Sequence, residues 1–350
     1  MKSLIVGGPW NNDGGKPSGL IKKMYEELKN IDDKSDIKFI NGGYYNELES
    51  IIKTAKEYDV IYWMAHVPNE LPKVRDVKNI NPHAIVVGSK RNDNNKYSFV
   101  EILNRSLLQR NNLTIEFKKT NDKFNMLVFD PLGTTWYDGD NLKEMVNSLH
   151  NRISFILTTK REHTYKAEGE LYIPDEKYFF DYLRYCSDIF QKTIEHTPGV
   201  TRFLGNGSFR NDKGNIYVTQ RDVDKSLIDE HHFVNVYKQD DKVYYLGDYK
   251  PSKDTIVQVN LYEKLKNINY IIHSHCYAKD APYTNVPVPC GALDEIDEVI
   301  NVIKKDYDNN YELNYYAVNL IGHGCLIMGK DVNVLKNTKF ITRHLPEYLD

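Results

Sequence analysis

No run of apolar residues in the chain approaches the about 18 needed to cross a bilayer, so the sequence offers no membrane span. Met1-Lys2-Ser3 leads into a short strand pattern without the longer apolar core of a secretory signal, and the expected location is the cytoplasm. Cysteine is scarce. The four present, Cys186, Cys276, Cys290 and Cys325, show no C-x-x-C spacing and no dense framework, which predicts free thiols. Excess charge of one sign is missing too: 46 basic and 49 acidic residues, mixed along the chain, leave a net charge of −3. That balance removes the case for nucleic acid as a partner. Internal repeats and low-complexity tracts are also absent.

What remains is an ordinary globular composition, 41% hydrophobic and 27% charged. At 350 residues the chain exceeds what one core usually organises, so two domains are expected. The first half reads as strands alternating with helices. Ser3 to Val6, Ile37 to Ile40, Val60 to Met64, Ala84 to Val87, Met126 to Phe129 and Ile153 to Leu157 have strand character. Helical stretches lie near Asn46 to Tyr58, Ser98 to Gln109 and Asn141 to Asn151, and Ser98-Phe99-Val100-Glu101 has capping-box spacing. This alternation predicts an α/β fold with a doubly wound, mostly parallel sheet, Rossmann-like or flavodoxin-like, over residues 1–160.

Between the first strand and the helical pattern Leu20, Ile21, Met24, Leu28 lies a glycine-rich loop containing Gly7, Gly8, Gly14 and Gly15, with Ser18 as candidate cap. A strand, such a loop and a helix N-terminus can present backbone N–H groups to an anion, although the sequence is neither G-x-G-x-x-G nor a Walker A motif. Other strand ends carry Gly42-Gly43-Tyr44, Ala65-His66, Gly88-Ser89-Lys90 and Asp130-Pro131-Leu132-Gly133-Thr134-Thr135. A nucleotide or sugar phosphate would suit them, and so would simple turns. The charged run from Lys160 to Glu170 marks the boundary, with residues 161–173 expected as a linker and 174–350 as a second domain.

In that second domain Tyr270-Ile271-Ile272-His273-Ser274-His275 reads as a strand, and alternation turns both imidazoles to one face. Two nitrogen ligands then face the same way, and catalytic zinc sites typically use three protein ligands. The best third candidate is His323, between Gly322 and Gly324 in an otherwise apolar strand pattern.

Five successive segments resemble motifs of the class II aldolase/adducin family, in that family's order. Gly205-Asn206-Gly207-Ser208-Phe209-Arg210 is similar to G-N-x-S-x-R. Ile216-Tyr217-Val218-Thr219 with Val223-Asp224-Lys225 resembles I-T-P-S-G-x-x-K. Gly247 to Thr255 resembles the K-P-S-S-E/D-T segment. His273-Ser274-His275 follows, with Val288-Pro289-Cys290-Gly291 where many members have I-P-x. Gly322-His323-Gly324 and Gly329-Lys330-Asp331 resemble the terminal N-H-G and G-x-D elements. The resemblance implies a C-terminal α/β/α aldolase-like domain that holds a divalent metal, most often Zn2+, through His273, His275 and His323. It implies Asp254 as the catalytic proton carrier, with the ion stabilising an enediolate. Asn206, Ser208, Thr219, Arg221, Ser252 and Lys253 become the candidate substrate contacts. The implied activity is that of a metal-dependent aldolase-type lyase on a sugar or sugar phosphate, in a homo-oligomer, a tetramer by resemblance.

The departures matter. Aldolases of the family usually carry Glu where this chain has Asp254, whereas Asp-Thr resembles the sugar-phosphate 4-epimerase branch. Arg221-Asp222 and Ser252-Lys253 replace the Ser-Gly and Ser-Ser pairs with which members grip phosphate. The epimerases' further acid aligns with Pro282, near Asp280 and Tyr283, and Tyr348 is the candidate for a C-terminal catalytic tyrosine. Two other readings stay open: a non-catalytic adducin-like binding module, against which the three retained histidines argue, and a nucleotide- or nucleotide-sugar-binding N-terminal domain that holds the main activity.

Overall fold

The computed structural model describes residues 1–67, 71–120, 123–131, 133–159, 162–191 and 204–341, the side chains of 71–73 and 191 apart. Tyr348 and the Lys160-Arg161 end of the expected boundary lie outside the described residues. The chain divides into two compact units, Met1–Leu157 and a second that begins at Thr158. Among the described residues no helix is long and apolar enough to cross a membrane.

The first unit contains β1 (Lys2–Asn11), α1 (Gly19–Ile31), β2 (Asp36–Tyr44), α2 (Leu48–Lys53), β3 (Val60–His66), α3 (Leu71–Ile80), β4 (Ile85–Arg91), α4 (Phe99–Gln109), β5 (Leu113–Thr120), β6 (Lys123–Phe129), β7 (Thr135–Gly139) and α5 (Leu142–Thr158). The sheet order is β2-β1-β3-β4-β5-β6-β7. Strands β1 to β5 pair in parallel, in the flavodoxin-like order 2-1-3-4-5, and β6 and β7 extend one edge antiparallel. Covered on both faces, the central strands read as continuous apolar runs: Val60, Ile61, Tyr62, Trp63 and Met64 are all buried. Helix α1 seals one face with Ile21, Met24 and Leu28, spaced for one helical stripe. The capping box at α4 forms, Ser98 Oγ accepting from Glu101 N while Glu101 Oε2 accepts from Ser98 N.

Three expectations differ from this unit. Ile153 to Leu157 is not a strand but the last turns of α5, where Met145, Val146, Leu149 and Ile153 share the buried face. A short apolar run does not distinguish the two states, and here the helical period continues through it. Strand β5 is an addition, with Leu113, Ile115 and Phe117 turned into one core and Lys118 and Lys119 at its far end; it joins the parallel strands to the antiparallel edge. Helix α3 is an addition too.

The second unit runs β8 (Thr164–Ala167), α6 (Lys177–Gln191), β9 (Asn206–Arg210), β10 (Ile216–Thr219), β11 (Phe233–Gln239), β12 (Lys242–Leu246), α7 (Thr255–Lys264), β13 (Tyr270–Ser274), β14 (Tyr277–Ala278), α8 (Asp294–Asp306), β15 (Tyr315–Leu320), β16 (Gly324–Gly329), α9 (Val332–Leu335) and β17 (Phe340–Ile341). Eight strands form one sheet in the order β15-β16-β13-β9-β10-β11-β12-β8, and β14 pairs with β17 separately. Within the stretch expected as a linker, Thr164–Ala167 forms the edge strand β8, parallel to β12.

Strand β13 sits inside this sheet, antiparallel to both β16 and β9. Its residues alternate between two cores. Ile272 packs with Phe179, Leu183, Phe190 and Phe209 on the α6 face. Ile271 packs with Val257, Leu261, Val299 and Ile303 on the face covered by α7 and α8. Helix α7 is buried nearly all round, Thr255 to Val259 being inaccessible, as expected of a helix between sheet and second helix. By the same alternation His273 turns to the α7/α8 face. Helix N-termini on that face can therefore deliver polar groups to it.

Candidate metal centre and active site

His273, the fourth residue of β13, lies opposite Asn206 on β9 and Leu326 on β16. His275 is one residue past the end of β13 rather than on it, and His323 occupies the turn between β15 and β16 rather than a strand. The two histidine segments approach because residue 324 is glycine. Its φ is +101°, and a Cβ there would stand 1.9 Å from Ser274 O and 2.6 Å from His275 Cα. Any side chain would push the two segments apart. Ring centroids lie 4.5 Å apart for His273 and His323, 5.0 Å for His273 and His275, and 5.5 Å for His275 and His323.

Each of two rings has one nitrogen committed. His273 Nδ1 lies 3.1 Å from the Cys325 carbonyl, which can only accept, so this nitrogen carries the proton. His323 Nδ1 lies 2.9 Å from Glu295 Oε2, and the carboxylate holds the same tautomer. In the neutral rings both Nε2 atoms are lone pairs, and both are buried without a hydrogen-bond partner. Orphaned buried acceptors are unusual and call for a ligand. One nitrogen from each of His273, His275 and His323 lies within 4.8 Å of the others. Imidazole nitrogens around tetrahedral zinc are ~3.3 Å apart, given zinc–nitrogen bonds of ~2.0–2.1 Å, so modest rotation of the rings brings all three onto one ion. The donor set fits a divalent metal.

Asp254 stands at the N-terminus of α7 and is 5% exposed. Its Oδ2 accepts from Asn206 Nδ2 at 2.6 Å and lies 4.0 Å from His273 Nε2. Its Oδ1 accepts from the Cys290 thiol at 3.0 Å. Burial pushes this carboxyl up, but His273 and His323, with the hydrogen bonds from Cys290 and Asn206, outweigh it and hold the group below the usual aspartate value. Burial pulls His273 down to about 4, assisted by His323 and opposed by Asp254, so its imidazole is neutral at pH 7. His323 moves the other way: burial lowers it, but the buried Glu295 beside it and Cys290 raise it above 6.5 on balance.

The expected substrate contacts divide into two groups. Asn206 reaches the site, its side-chain oxygen fixed by Gln258 Nε2 so that the amide nitrogen faces Asp254. Ser252 is half-buried beside it, with Oγ 3.5 Å from Asp254 Oδ2. Arg221 and Lys253 are exposed, on segments tied together by Arg221 N to Lys250 O and Ser252 N to Thr219 O. Ser208 and Thr219 are inaccessible. The Ser208 hydroxyl pairs with Tyr262 OH, and Thr219 Oγ1 accepts from Gly207 N, which makes their observed contacts internal to the fold. Pro282, Asp280 and Tyr283 line a separate cleft of about 470 Å³ with Tyr307 and Asn319, and none of the three histidines contributes to it.

In the first unit Gly7 and Gly8 are absorbed into β1, and Gly15 N donates to Gly43 O at 2.8 Å. A Cβ on Gly15 would meet Pro9 O at 1.7 Å, so this glycine serves a close backbone crossing. Gly14 turns with φ +84° against the Tyr44 ring. Ser18 caps α1, its Oγ accepting from Ile21 N at 3.5 Å, while Asn41 brackets its backbone from β2.

Sequence reasoning did not find Glu295. It belongs to the buried face of α8 with Ile296, Val299 and Ile303, and an acid on that apolar stripe was the available signal. Lys225, part of the Val223-Asp224-Lys225 motif but assigned no role from it, is buried: burial draws its ammonium down to about 8, against the pull of Asp222, Asp224 and Asp254.

Residues 190–338 match the family model described as Class II Aldolase and Adducin N-terminal domain. No curated protein matches the chain. Among solved structures, a putative aldolase/epimerase/decarboxylase, YgbL of Escherichia coli, is similar at 15% identity, with a TM-score of 0.32, over 44% of this chain and 80% of its own. The L-fuculose-1-phosphate aldolase of Thermus thermophilus is similar at 16% identity, with a TM-score of 0.29, over 45% and 81%. The DNA/pantothenate metabolism flavoprotein of Streptococcus pneumoniae is similar at 14% identity, with a TM-score of 0.36, over 44% and 97%.

Proposed function

We propose, on the match of residues 190–338 to the class II aldolase and adducin family model, that the second unit is a metal-dependent aldolase-type lyase acting on a hydroxy-carbonyl compound, a sugar or sugar phosphate. The observation that carries this reading is the convergence of His273, His275 and His323, with two buried Nε2 lone pairs that no protein group satisfies. These three residues would hold the ion, and an all-imidazole set suits Zn2+ among divalent metals. When bound, the ion supplies Lewis-acid polarisation of a substrate carbonyl oxygen.

The chain's own residues supply the rest. Asp254, ionised and adjacent to the His273 and His323 imidazoles, accepts the proton lost from substrate as a carbon–carbon bond is cut or made. Asn206, locked by Gln258, keeps Oδ2 of Asp254 pointing at His273. Glu295 and the Cys325 carbonyl hold His323 and His273 in the tautomer that turns Nε2 inward. Arg221 and Lys253, both exposed on adjoining segments, are the cations available for a substrate phosphate or carboxylate. The resemblance also makes a homo-oligomer, a tetramer, part of the proposal.

A second reading, sugar-phosphate 4-epimerisation, is favoured by one residue. Aspartate at position 254 is one methylene shorter than the glutamate usual in aldolases of the family and reaches ~1.5 Å less far, so it serves a different proton.

The test is the metal content of the purified protein by plasma mass spectrometry, beside a His275→Ala variant. About one ion per chain in the parent and none in the variant is the expected result. A screen of sugar phosphates then distinguishes cleavage from epimerisation. A parent protein that retains no divalent ion after reconstitution would sink both readings.

A further inference from the structure

Cys290 sits on the segment before α8, in the stretch Pro289-Cys290-Gly291, and it is the one exposed cysteine of the four. Its sulfur nevertheless turns inward, 3.0 Å from Asp254 Oδ1. Sulfur, a carboxylate oxygen of Asp254 and a ring nitrogen of His323 lie within 4.8 Å of one another, and among the described residues this is the second of two groups able to hold a metal. His323 belongs to both groups. The two groups adjoin through His323 and through Asp254, whose Oδ2 stands 4.0 Å from His273 Nε2. The buried Nε2 atoms of His273 and His323, unpartnered and 1% and 4% exposed as residues, are independent evidence that a cation belongs there.

The chemistry separates the two extra candidates. Asp254 already accepts hydrogen bonds from Asn206, from Ser252 and from Cys290 itself. The thiol donates its proton to Asp254 and faces His323 in the same cluster. In a tetrahedral site with zinc–sulfur and zinc–nitrogen bonds of ~2.3 and ~2.0–2.1 Å, sulfur and nitrogen are ~3.5 Å apart. Sulfur already lies within 4.8 Å of the His323 nitrogen, so bonding both to one ion asks for a shift of about 1 Å between that pair. Gly291 turns at φ +70° close against the Lys253 carbonyl, so the shift falls on the Cys290 side chain, which belongs to a solvent-exposed residue.

Resting on the metal reading above, we propose that Cys290 is the fourth protein ligand of the resting site, giving three nitrogens and one sulfur. Ligation breaks the S–H bond and forms a metal–sulfur bond; the proton leaves along the existing hydrogen bond to Asp254 and on to water. A thiolate ligand biases the site toward zinc and away from magnesium or manganese. It also closes the coordination shell at rest, so a chelating hydroxy-carbonyl substrate enters by displacing sulfur. The displaced thiolate takes up the proton given up by the substrate hydroxyl and so renews its hydrogen bond to Asp254.

X-ray absorption spectroscopy of the zinc-loaded protein tests this directly. The parent should show one sulfur at ~2.3 Å beside nitrogen neighbours at ~2.0–2.1 Å, and Cys290→Ser should keep its zinc while losing the sulfur shell. Nitrogen and oxygen neighbours only in the parent would overturn the cysteine ligand while leaving the three-histidine site intact. A sulfur shell that persists in Cys290→Ser would overturn it as well, by pointing to the buried Cys276 or Cys325. A parent that binds no zinc would overturn both this inference and the function it rests on.

Discussion

Glu295 never touches a substrate in the arrangement described, yet its removal should weaken the metal site measurably. Its Oε2 accepts from His323 Nδ1 at 2.9 Å, with the two residues 1% and 4% exposed, so no water replaces the bond. Loss of the orienting partner of a metal-bound imidazole typically costs 10- to 100-fold in affinity, about 1.4 to 2.7 kcal/mol. Glu295→Ala should sit at the weaker end, because it also leaves a buried N–H unpaired, at about 1–3 kcal/mol of fold stability. Glu295→Gln retains an acceptor and should lose only about 10-fold. Burial raises the Glu295 carboxyl above its usual value, so the neutral amide removes a costly buried charge and should leave the metal-free fold at least as stable. Zinc competition against a chromophoric chelator reads affinity, and urea unfolding of the metal-free protein reads stability. Glu295→Ala with parental zinc affinity would refute the argument. So would Glu295→Gln that unfolds more easily but binds zinc unchanged, since that is the signature of a purely structural carboxylate.

Two further outcomes follow from the same geometry. Asp254→Asn should lower kcat by about 10²- to 10⁴-fold with zinc content unchanged, because the metal is held by the three imidazoles; steady-state turnover at the parental rate would remove Asp254 from the proton-carrying role. The metal-free protein should lose stability as pH falls from about 6.5 toward about 4, the window in which unfolded His273 takes up a proton that the folded residue refuses. The loss from this group is of order 3 kcal/mol by the acid end, at 1.36 kcal/mol per pKa unit. Asp254, held below its ordinary value, adds a loss of the same sign as pH drops further through its folded value. Urea midpoints at pH 7 and pH 4.5 in the presence of chelator, compared between the parent and His273→Gln so that the opposing gain from the raised Glu295 carboxyl cancels, check this; the same pH dependence in both would show that His273 is not buried neutral.

The site's residues lie far apart in sequence, at 206, 254, 273 to 275, 290 to 295 and 323, yet each stands at or next to the end of an element. Asp254 begins α7, Glu295 is in the first turn of α8, and His273 and His275 bracket the end of β13. His323 precedes β16, and Asn206 opens β9. Antiparallel pairing puts the end of β13 against the starts of β9 and β16, which explains why motifs so separated share a site. Single-strand alternation was enough to turn His273 toward α7 and α8, and the spacing of glycines marked His323. What local pattern does not carry is the partner across the gap. Glu295 reads as an ordinary acid near a helix start, where the dipole favours it anyway, until the β15–β16 turn sets His323 above it. Cys290 reads as one more buried cysteine until the chain folds its sulfur back onto Asp254. The glycine-rich loop shows a further limit of local pattern. Gly15 reads as part of an anion cradle, but its missing side chain is what lets two backbone segments cross, with Pro9 O only 1.7 Å from where a Cβ would stand. Glycine reports close approach, and sequence alone does not say of what.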